Sequence, residues 1–432
     1  MTSPTSLIDA RTGIVTSLLP RDVPAWFPAS FSLLHARLSD TRAFSLWPSD
    51  SAGAGYAFAD DDAVLGAAVG EAVERYCGNL VADGLVRDSW EGLTARGIHA
   101  VDPERLALFS SEQHTVGLPV APFTRDTAVD WAAGMTVAGR SPVLVPASLV
   151  WVSHSLSRRP LLHPVIQAGL ATGRTRDEAL WGGLCEVIER DAMTIAWTGG
   201  GGMIDLTVPS WLTDFAQGPH GALEVRWLRF PHESGLPVIG ALVADRNTGY
   251  LTLGMGVGPD RVAAAIKAYG EGLQLQLFSA DLDDEHGPYM AAAAAPASPL
   301  QRWRADREYS RSYDADLRDV IDYGCHLQLH LDPAIQQRFL DELDASVIGH
   351  ESLDEYKDLP VPRDVATLDQ SLRDRGLDPV FVDVTTADIA PSGLHVVRVT
   401  VPGTYSNAPH ALPFLGGSRL PSPRIRPVPL PH

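Results

Sequence analysis

The alternation of apolar and polar positions predicts three long helices in this chain. They cover residues 62–80, 175–197 and 261–280, where apolar side chains recur at helical spacing. Thr175 is the expected N-cap of the second helix, and Glu178, three residues later, would complete a capping box. The sequence therefore predicts a fold that contains long, well-delimited helices.

The segments between these helices show strand and loop patterns. Residues 12–60 are rich in Pro, Gly, Ser and Asp between short apolar runs, which predicts loops and short strands leading into the first helix. Apolar runs predict a buried strand at 142–152 and several strands within 222–256. An acidic, alanine-rich stretch at 281–297 is expected to be a surface loop, and residues 380–402 carry a final β–α signal.

Composition narrows the class of protein. The 432 residues are 45% hydrophobic and 20% charged, which is typical of a globular protein with a sizeable core. The net charge of −19 argues against nucleic acid and anionic membranes as partners, because both would repel the chain. The N-terminus has no cationic, apolar signal pattern, and the sequence has no apolar segment long enough to span a membrane. The three cysteines lie far apart and form no metal or redox motif, so we expect a reduced, cytoplasmic protein.

Two of the predicted helices carry the same acidic motif. Both contain Glu-x-x-Glu-Arg, so two carboxylates lie one helical turn apart on one face with a guanidinium beside them. The residues are Glu71, Glu74 and Arg75 in the first helix and Glu186, Glu189 and Arg190 in the second. One such motif is typical of a solvated surface with local ion pairs, but its repetition favours a shared site. Neighbouring carboxylates repel each other, and a bound cation would remove that repulsion.

The third helix offers a related pair, Glu271 and Gln274, at the same spacing. Mg²⁺ prefers oxygen ligands and is usually held by a few carboxylates together with substrate phosphates. Arginine contributes bidentate contacts to phosphate. The three helices would then face one pocket for a metal ion and a phosphorylated ligand.

The second helix and the segment before it carry a recognisable signature. Residues 168–191, Ala-Gly-Leu-Ala-Thr-Gly-Arg-Thr-Arg-Asp-Glu-Ala-Leu-Trp-Gly-Gly-Leu-Cys-Glu-Val-Ile-Glu-Arg-Asp, resemble the most characteristic stretch of YcaO proteins. Further matching segments lie at 70–76, 271–274, 393–403 and 416–420. Together they extend the resemblance over about residues 50–432. YcaO proteins are ATP-dependent enzymes that modify peptide backbones.

The resemblance implies a fold and a set of cofactors. The fold would be α+β, with mixed, largely antiparallel sheets packed with long helices around a central ATP site. The chain would comprise an N-terminal segment, 1–50, and a catalytic domain, 51–432, that ends in a proline-rich tail, 421–432. ATP and Mg²⁺ are the implied cofactors. In this family a nucleophile adds to an amide carbon, ATP phosphorylates the amide oxygen, and loss of phosphate gives an azoline, an amidine or a thioamide.

The same resemblance implies roles for residues of the three helices. The implied magnesium ligands are Glu71, Glu74, Glu186, Glu189 and Glu271. The implied contacts to ATP phosphate or nucleotide are Arg75, Arg190 and Gln274. Such fixed cations would stabilise the charge that builds up on the transferring phosphate.

The end of the chain resembles the Pro-x-Pro-x-Pro terminus of family members that form thiazolines and oxazolines. The residues with an implied catalytic role are Pro427, Pro429, Pro431 and His432. Closely spaced prolines favour polyproline II structure, so docking of the tail would cost little entropy. Its terminal carboxylate could serve as a base or proton carrier. The tail therefore favours azoline products over thioamides.

The interpretation that we favour is an ATP-dependent cyclodehydratase that converts Cys, Ser or Thr of a ribosomally made precursor peptide to azolines. The chain begins almost directly in the YcaO-like region, so we expect an E1-like or leader-peptide-binding partner protein to deliver the peptide. The family resemblance also implies a homodimer. A stand-alone enzyme that makes a macrocyclic amidine or a thioamide is an alternative.

A different class is also open, namely a catalytically weak subunit that scaffolds a peptide-modifying synthetase complex. Several departures from the usual family pattern motivate it. Gly182 stands where Asn or Gln is common, Ala67 where Ser is common, and Gln167 and Ala168 where Ser-Asn is expected. The segment 53–55 has no lysine between its glycines.

Overall fold

The structure of the chain is a computed structural model, and it describes residues 4–45, 50–354, 361–423 and 425–432. Parts of the predicted N-terminal segment, 1–3 and 46–49, and residue 424 of the predicted tail lie outside this description. None of the described helices combines the length and apolar character that spanning a membrane requires.

The described strands form three sheets in which antiparallel pairing predominates. In chain order the strands are β1 (Val15–Pro20), β2 (Phe31–Leu38), β3 (Ala52–Phe58), β4 (Val86–Asp88), β5 (Val129–Thr136), β6 (Pro142–Pro146), β7 (Leu170–Gly173), β8 (Met203–Thr207), β9 (Leu223–Arg229), β10 (Val238–Asp245), β11 (Leu251–Val257), β12 (Val347–Ser352), β13 (Val380–Asp383) and β14 (His395–Thr400). The sheet orders are β1-β2-β3, then β4-β5-β13-β14-β7 with β6 also paired to β5, and β11-β10-β9-β8-β12. Every pair is antiparallel except β12 with β8.

Three long helices accompany nine shorter ones in the described part of the chain. In chain order the helices are α1 (Asp61–Asn79), α2 (Trp90–Ala95), α3 (Ser111–Thr115), α4 (Ala147–Val150), α5 (Val152–Ser157), α6 (Arg176–Trp197), α7 (Ser210–Ala216), α8 (Arg261–Leu282), α9 (Pro288–Ala293), α10 (Tyr323–Leu329), α11 (Pro333–Asp344) and α12 (Val365–Arg373). The predicted long helices correspond to α1, α6 and α8, with ends that differ by at most two residues. The α+β architecture predicted from the sequence is confirmed.

The start of α6 shows only half of the predicted capping box. The Thr175 hydroxyl accepts a hydrogen bond from the amide of Glu178 at 3.1 Å, as expected for an N-cap. The Glu178 carboxylate accepts from the amide of Arg174 at 2.8 Å, one residue before the N-cap. Thr175 and Glu178 therefore still satisfy backbone amides both within the first turn of α6 and just before it.

Two sequence-based expectations for local structure are wrong. The run 142–152 is strand only as far as Pro146, and α4 and α5 follow, because an apolar run suits a buried helix as well as a buried strand. The stretch 281–297 is not entirely loop, since α8 continues to Leu282 and α9 begins at Pro288, a residue that fits the first turn of a helix.

The prediction of a strand followed by a helix at 380–402 is also wrong. β13 and β14 pair directly with each other as antiparallel strands, from Val380 opposite Thr400 to Asp383 opposite Val397. Only a short 3-10 helix lies between them, and Gly393 follows it at a φ of 81°, a conformation that ends helices.

The division of the chain at residue 50 stays a prediction. β2 and β3 lie on opposite sides of that position and pair from Phe31 opposite Phe58 to Arg37 opposite Ala52. The described part of the tail contains neither helix nor strand.

Three strand–helix units, β3 with α1, β7 with α6 and β11 with α8, form what we call the three-unit ring. Each helix packs on the strand that precedes it, and α1 also packs on β7, α6 on β11 and α8 on β3, which closes the ring. Glycines permit the close approach of strand and helix. A Cβ on Gly55 would lie 2.1 Å from the backbone nitrogen of Ala68, and one on Gly254 would lie 2.1 Å from the carbonyl oxygen of Ala268. The ring brings the acidic faces of all three helices together.

Candidate functional site

Each unit of the three-unit ring anchors its first carboxylate in the same way. A backbone amide at the strand donates a hydrogen bond to Oε2 of a glutamate on the helix. The pairs are Ala54 with Glu71 (3.3 Å), Gly169 with Glu186 (2.9 Å) and Met255 with Glu271 (2.5 Å). The donor precedes the glutamate by 17, 17 and 16 residues, respectively. The repeated spacing identifies a repeated structural unit that points a carboxylate into the ring.

The second polar residue of each helix differs among the units. Glu74 accepts a hydrogen bond from the amide of Thr172 at 2.7 Å, which links α1 to the neighbouring unit. Glu189 is only 2% exposed, and among the described residues its Oε2 atom has no hydrogen-bond partner. Gln274 is half-buried on α8, one turn after Glu271. The buried Oε2 atom is costly to leave without a hydrogen bond, and the Nζ atom of Lys267 approaches it only to 3.8 Å, so the site favours a cation at closer range.

Arg190 joins the second unit to the third. Its Nη2 atom lies 3.5 Å from Glu189 Oε1 and 3.9 Å from both Glu186 Oε1 and Glu271 Oε1. Burial alone would lower the pKa of Arg190, but the three carboxylates outweigh it and the pKa is raised. In the first unit, Arg75 pairs with Glu71 at 3.1 Å. The structure thus brings together the predicted acids and both predicted arginines.

The electrostatics of the site favour added positive charge. Burial raises the pKa of Glu74 to about 8, with Glu71 adding to the rise and the Thr172 amide opposing it. Burial also raises the pKa of Tyr56 well above its usual value, and the carboxylates of Glu271 and Glu189 add to this effect. Burial and the neighbouring carboxylates therefore both disfavour further negative charge at the centre of the ring.

The carboxylates do not form a ready-made metal cage. Within the described ranges, no three His, Cys, Asp or Glu side chains are grouped so that they could hold a metal ion. Guanidinium and ammonium groups pair with several of the carboxylates instead. A divalent cation would satisfy the Oε2 atom of Glu189, which accepts no hydrogen bond within the described residues, and would oppose the rise in the pKa of Glu74. The assignment of the five glutamates as metal ligands stays a prediction.

Lys267 is a residue that the sequence analysis missed. It lies one turn before Glu271 on α8, and its Nζ atom is 3.8 Å from Oε2 of Glu189. The carboxylate of Glu189 raises the pKa of Lys267, with burial opposing and Glu271 adding to the rise. Only two of the 34 Lys and Arg residues of the chain are lysines, Lys267 and Lys357. That scarcity is the signal that could have identified Lys267.

The C-terminal tail is docked along the edge of β11. The amide of Leu253 donates to the carbonyl of Pro431 at 2.6 Å, and Nδ1 of His432 donates back to the carbonyl of Leu253 at 2.9 Å. Nε2 of His330 donates to the carbonyl of Pro429 at 2.9 Å. Pro427 is exposed, so it is the one predicted tail residue that does not pack against the protein.

The last residue of the tail reaches Arg190. The guanidinium of Arg190 donates a hydrogen bond to Nε2 of His432, which is unprotonated because Nδ1 carries the ring proton. Burial lowers the pKa of His432 to about 3, and the charge of Arg190 contributes to this shift. The imidazole is therefore neutral near pH 7, and both of its ring nitrogens are engaged, Nε2 by Arg190 and Nδ1 by Leu253.

A buried ion pair directly after Arg190 anchors the segment that precedes the tail. Asp191 has no exposed side-chain surface and accepts two hydrogen bonds from Arg419, at 2.8 and 2.7 Å. It also accepts from Nε2 of His232 at 2.8 Å and from the amide of Tyr405 at 2.7 Å. This network ties the C-terminal segment to α6, and the sequence analysis did not identify it.

Comparison with known protein families identifies the family to which the chain belongs. A family model described as YcaO cyclodehydratase, ATP- and Mg²⁺-binding, matches residues 54–405. The chain belongs to the YcaO family, as the sequence resemblance predicted. The prediction of ATP and Mg²⁺ as cofactors agrees with the description of this family and is confirmed.

Three solved structures share the fold. A heterocyclase in complex with substrate and cofactor aligns with a TM-score of 0.64 at 21% identity, over 100% of this chain and 57% of that one. YcaO from Methanopyrus kandleri, bound with AMPPCP and Mg²⁺, aligns with a TM-score of 0.59 at 19% identity, over 92% and 91% of the two chains. A chain of the E. coli microcin synthetase McbBCD complex aligns with a TM-score of 0.58 at 10% identity, over 98% of both chains.

The similarity to curated proteins is partial. An uncharacterized protein of Methanothermobacter thermautotrophicus is 26% identical over 290 residues, which are 64% of this chain and 65% of that protein. The chain spans between 53% and 65% of the length of the curated relatives it matches.

Proposed function

We propose that the chain is an ATP-dependent cyclodehydratase that converts Cys, Ser or Thr of a ribosomal precursor peptide to azolines. The observation that carries the proposal is the position of Arg190. This guanidinium lies within 3.9 Å of carboxylates from two units of the ring and also donates to His432 of the tail. A group suited to phosphate and the end of an azoline-type tail therefore meet at one point. Structural similarity to a heterocyclase solved with substrate and cofactor supports this interpretation.

The three-unit ring would bind the nucleotide and its metal. Glu71, Glu74, Glu186, Glu189 and Glu271 would hold Mg²⁺. Arg75, Arg190 and Gln274 would contact the nucleotide, and Lys267 joins them because its ammonium is a compact charge suited to phosphate. ATP would supply the phosphoryl group that turns the amide oxygen into a leaving group.

The residues of the chain would act mainly by positioning and charge. Arg190 would exchange its partly buried carboxylate partners for phosphate oxygens, where charge increases during transfer. In this buried setting a fixed guanidinium stabilises that charge more than water would. Lys267 on α8 and Arg75 on α1 would hold the phosphates from the other two helices. The amide oxygen of the peptide would then approach the bound phosphates in one fixed orientation.

The tail would handle the proton of the attacking nucleophile. The terminal carboxylate of His432 would accept the proton of the attacking thiol or hydroxyl. The imidazole would position this carboxylate, because Nε2 accepts a hydrogen bond from Arg190 and Nδ1 donates to the carbonyl of Leu253. The low pKa of the imidazole keeps the ring neutral, so it does not compete with the carboxylate for that proton. Docking of Pro431 on β11 keeps both groups in place.

The peptide would reach this site with help from a partner protein. A multi-protein complex, the microcin synthetase McbBCD, contains a chain of the same fold, which supports an E1-like or leader-binding partner. We also propose a homodimer and a cytoplasmic location, where ATP is available and the free, buried thiols of Cys77, Cys185 and Cys325 stay reduced.

Mass spectrometry of a precursor peptide tests the proposal. The purified chain, its partner and a candidate precursor from an adjacent gene are incubated with Mg-ATP. Loss of one water per modified residue is expected, whereas a thioamide replaces oxygen by sulfur and gains mass. An amidine also loses water, so peptides with Cys, Ser and Thr replaced by Ala are run in parallel. Water loss that survives these replacements would contradict azoline formation.

A scaffold subunit is the second candidate function. The paired state of Arg190 and Lys267 and the lack of a grouped metal cage within the described residues favour it. This function predicts that the chain binds ATP, yet that no peptide changes mass even when the partner protein is present.

A further inference from the structure

A cavity that opens to solvent, with about 60 Å³ of space accessible to water-sized molecules, lies between the end of α6, α10 and the docked tail. Met193 and Trp197 line it from α6, Tyr323 and His326 from α10, and Leu430 from the tail.

The cavity is continuous with the candidate site. His432 lines the cavity and accepts the hydrogen bond from Arg190. Met193 follows Arg190 by three residues and therefore lies one helical turn away on the same face. Burial raises the pKa of Tyr323, and the charge of Arg190 opposes this rise. A group bound at Arg190 would thus have the cavity directly beside it.

The side chains that line the cavity carry no unbalanced charge. No Asp, Glu or Lys of the described chain lines it, and its one guanidinium, Arg426, is already paired. Arg426 donates to the carboxylate of Glu342 at 2.9 Å and to the carbonyl of Trp197 at 2.7 Å, and it stacks 4.8 Å above the ring of Trp197. Burial lowers the pKa of His410 to about 4, so this wall residue is neutral near pH 7.

Binding of a charged side chain in this cavity would be unfavourable. The charged group would lose its hydration and find no counter-charge, whereas an apolar or aromatic side chain would be removed from water at no such cost. Trp197, Tyr323 and Phe414 also offer ring faces for stacking.

We infer that this cavity is a specificity pocket for the substrate peptide, and that it takes the uncharged, apolar or aromatic side chain of a residue adjacent to the one that is modified. The inference rests on the proposed function, because it gives that site a preference among peptides.

Binding of short synthetic peptides tests the pocket without requiring turnover. The probes have the form Gly-X-Cys-X-Gly with X as Leu, Phe, Asp or Lys, so that both neighbours of the cysteine change together. Affinity is measured by calorimetry on the full chain with Mg-AMPPCP present. The Leu and Phe peptides are expected to bind at least about tenfold more tightly than the Asp and Lys peptides. Equal affinity for all four peptides, or no detectable binding of the Leu and Phe peptides, overturns the inference.

A cavity-filling variant adds an independent check. Ala408 lines the cavity, and Ala408→Phe should lower the affinity for the Leu and Phe peptides by about tenfold while the affinity for Mg-AMPPCP stays the same. Ala295→Phe places the same side chain at an exposed position outside the cavity and should change neither. If Ala408→Phe does not fold, the peptide series on the unaltered chain still decides the question.

The outcome separates this inference from the proposed function. Selective binding of the Leu and Phe peptides without water loss from any precursor would sustain the pocket and refute the cyclodehydratase. Water loss that does not depend on the neighbours of the modified residue would support the cyclodehydratase and refute the pocket.

Discussion

The guanidinium of Arg190 donates a hydrogen bond to the imidazole of His432, the last residue of the chain. The same guanidinium lies 3.5 Å from Glu189 and 3.9 Å from Glu271, on two different helices. One cation thus connects the end of the tail with the acidic centre of the three-unit ring. A substitution at the end of the tail should therefore also change the position or charge of Arg190 at the acidic centre.

Shortening the tail tests its catalytic role. Val428 and Leu430 are buried in the main core, so removal of only 431–432 takes away the imidazole and moves the terminal carboxylate back to Leu430 while sparing these contacts. Azoline formation should fall by about hundredfold or more, because the proton acceptor is no longer in its place. The exposed Pro427 provides the control, since Pro427→Ala should leave the rate of water loss nearly unchanged. Full activity of the shortened chain, measured by mass spectrometry, would refute the role of the tail.

The carboxylates of the ring should be required for turnover. Glu74→Gln and Glu189→Gln keep the shape of each side chain but remove a carboxylate that we propose binds Mg²⁺, so kcat should fall by about 10² or more. Phosphate release measures the effect, and the exposed Glu285→Gln serves as the matched control. If both site variants retain full turnover, the assignment of these residues to Mg²⁺ is wrong.

Close packing in the third unit should be sensitive to a single methyl group. A Cβ at Gly254 would lie 2.1 Å from the Ala268 carbonyl and 2.2 Å from the Gly272 nitrogen, so Gly254→Ala must push α8 away from β11. We expect a loss of about 1–3 kcal/mol in the free energy of unfolding and weaker Mg-ATP binding, since Glu271 moves with the helix.

The control for this change is Gly66→Ala in α1. A Cβ at Gly66 meets no atom within 4 Å, so this substitution should raise the free energy of unfolding by about 0.5–1 kcal/mol. Urea unfolding measures both variants. A Gly254→Ala protein as stable as the parent would show that strand and helix are not held as tightly as described.

Docking of the tail should make stability depend on pH. Burial lowers the pKa of His330 to about 4 from its ordinary value of 6.5, with the bond to Pro429 opposing the shift. Between these two values the unfolded chain binds more protons than the folded chain. The free energy of unfolding should therefore fall as the pH falls through this window, by up to about 1.4 kcal/mol per pH unit for this one group.

The variant His330→Gln isolates that contribution. Its amide can still donate to the Pro429 carbonyl but does not titrate, so the slope of stability against pH should become shallower. Other buried histidines, such as His163 with a pKa lowered to about 4 by burial, keep part of the slope. Urea unfolding at several pH values compares the two proteins, and identical slopes would contradict the prediction.

The buried pair of Asp191 and Arg419 should contribute strongly to stability. Arg419→Met removes two hydrogen bonds from a carboxylate with no exposed surface, at a cost of about 3–5 kcal/mol in the free energy of unfolding. Arg318→Met breaks an exposed pair with Asp314 and should change stability by no more than about 0.5 kcal/mol. Denaturant unfolding that finds similar, small losses in both would show that the buried network is dispensable.

The acidic faces were predictable from sequence, whereas their anchors were not. Glutamates three residues apart on a helix share a face, and that rule holds whatever surrounds the helix. The bonds that hold them come from the backbone amides of Ala54, Gly169 and Met255, and a backbone amide is the same in every residue but proline. The near-constant spacing of 16 or 17 residues is the only trace of these anchors in the sequence.

Tertiary placement explains the other differences. The prolines predicted an extended tail, but its docking at Leu253 depends on β11 lying at the edge of its sheet. The apolar run at 142–152 fits a strand or a helix equally well, and packing decides between them. Asp191 and Arg419 are 228 residues apart, so their pairing leaves no local pattern.

The three-unit ring takes its carboxylates from three separate stretches of the chain. A ligand that binds to all three would act as a reversible crosslink between distant segments. At a free concentration a hundredfold above its Kd, such a ligand would stabilise the folded chain by about 2.7 kcal/mol. Mg-ATP should therefore protect the chain against proteolysis, with the connections between the three units gaining the most.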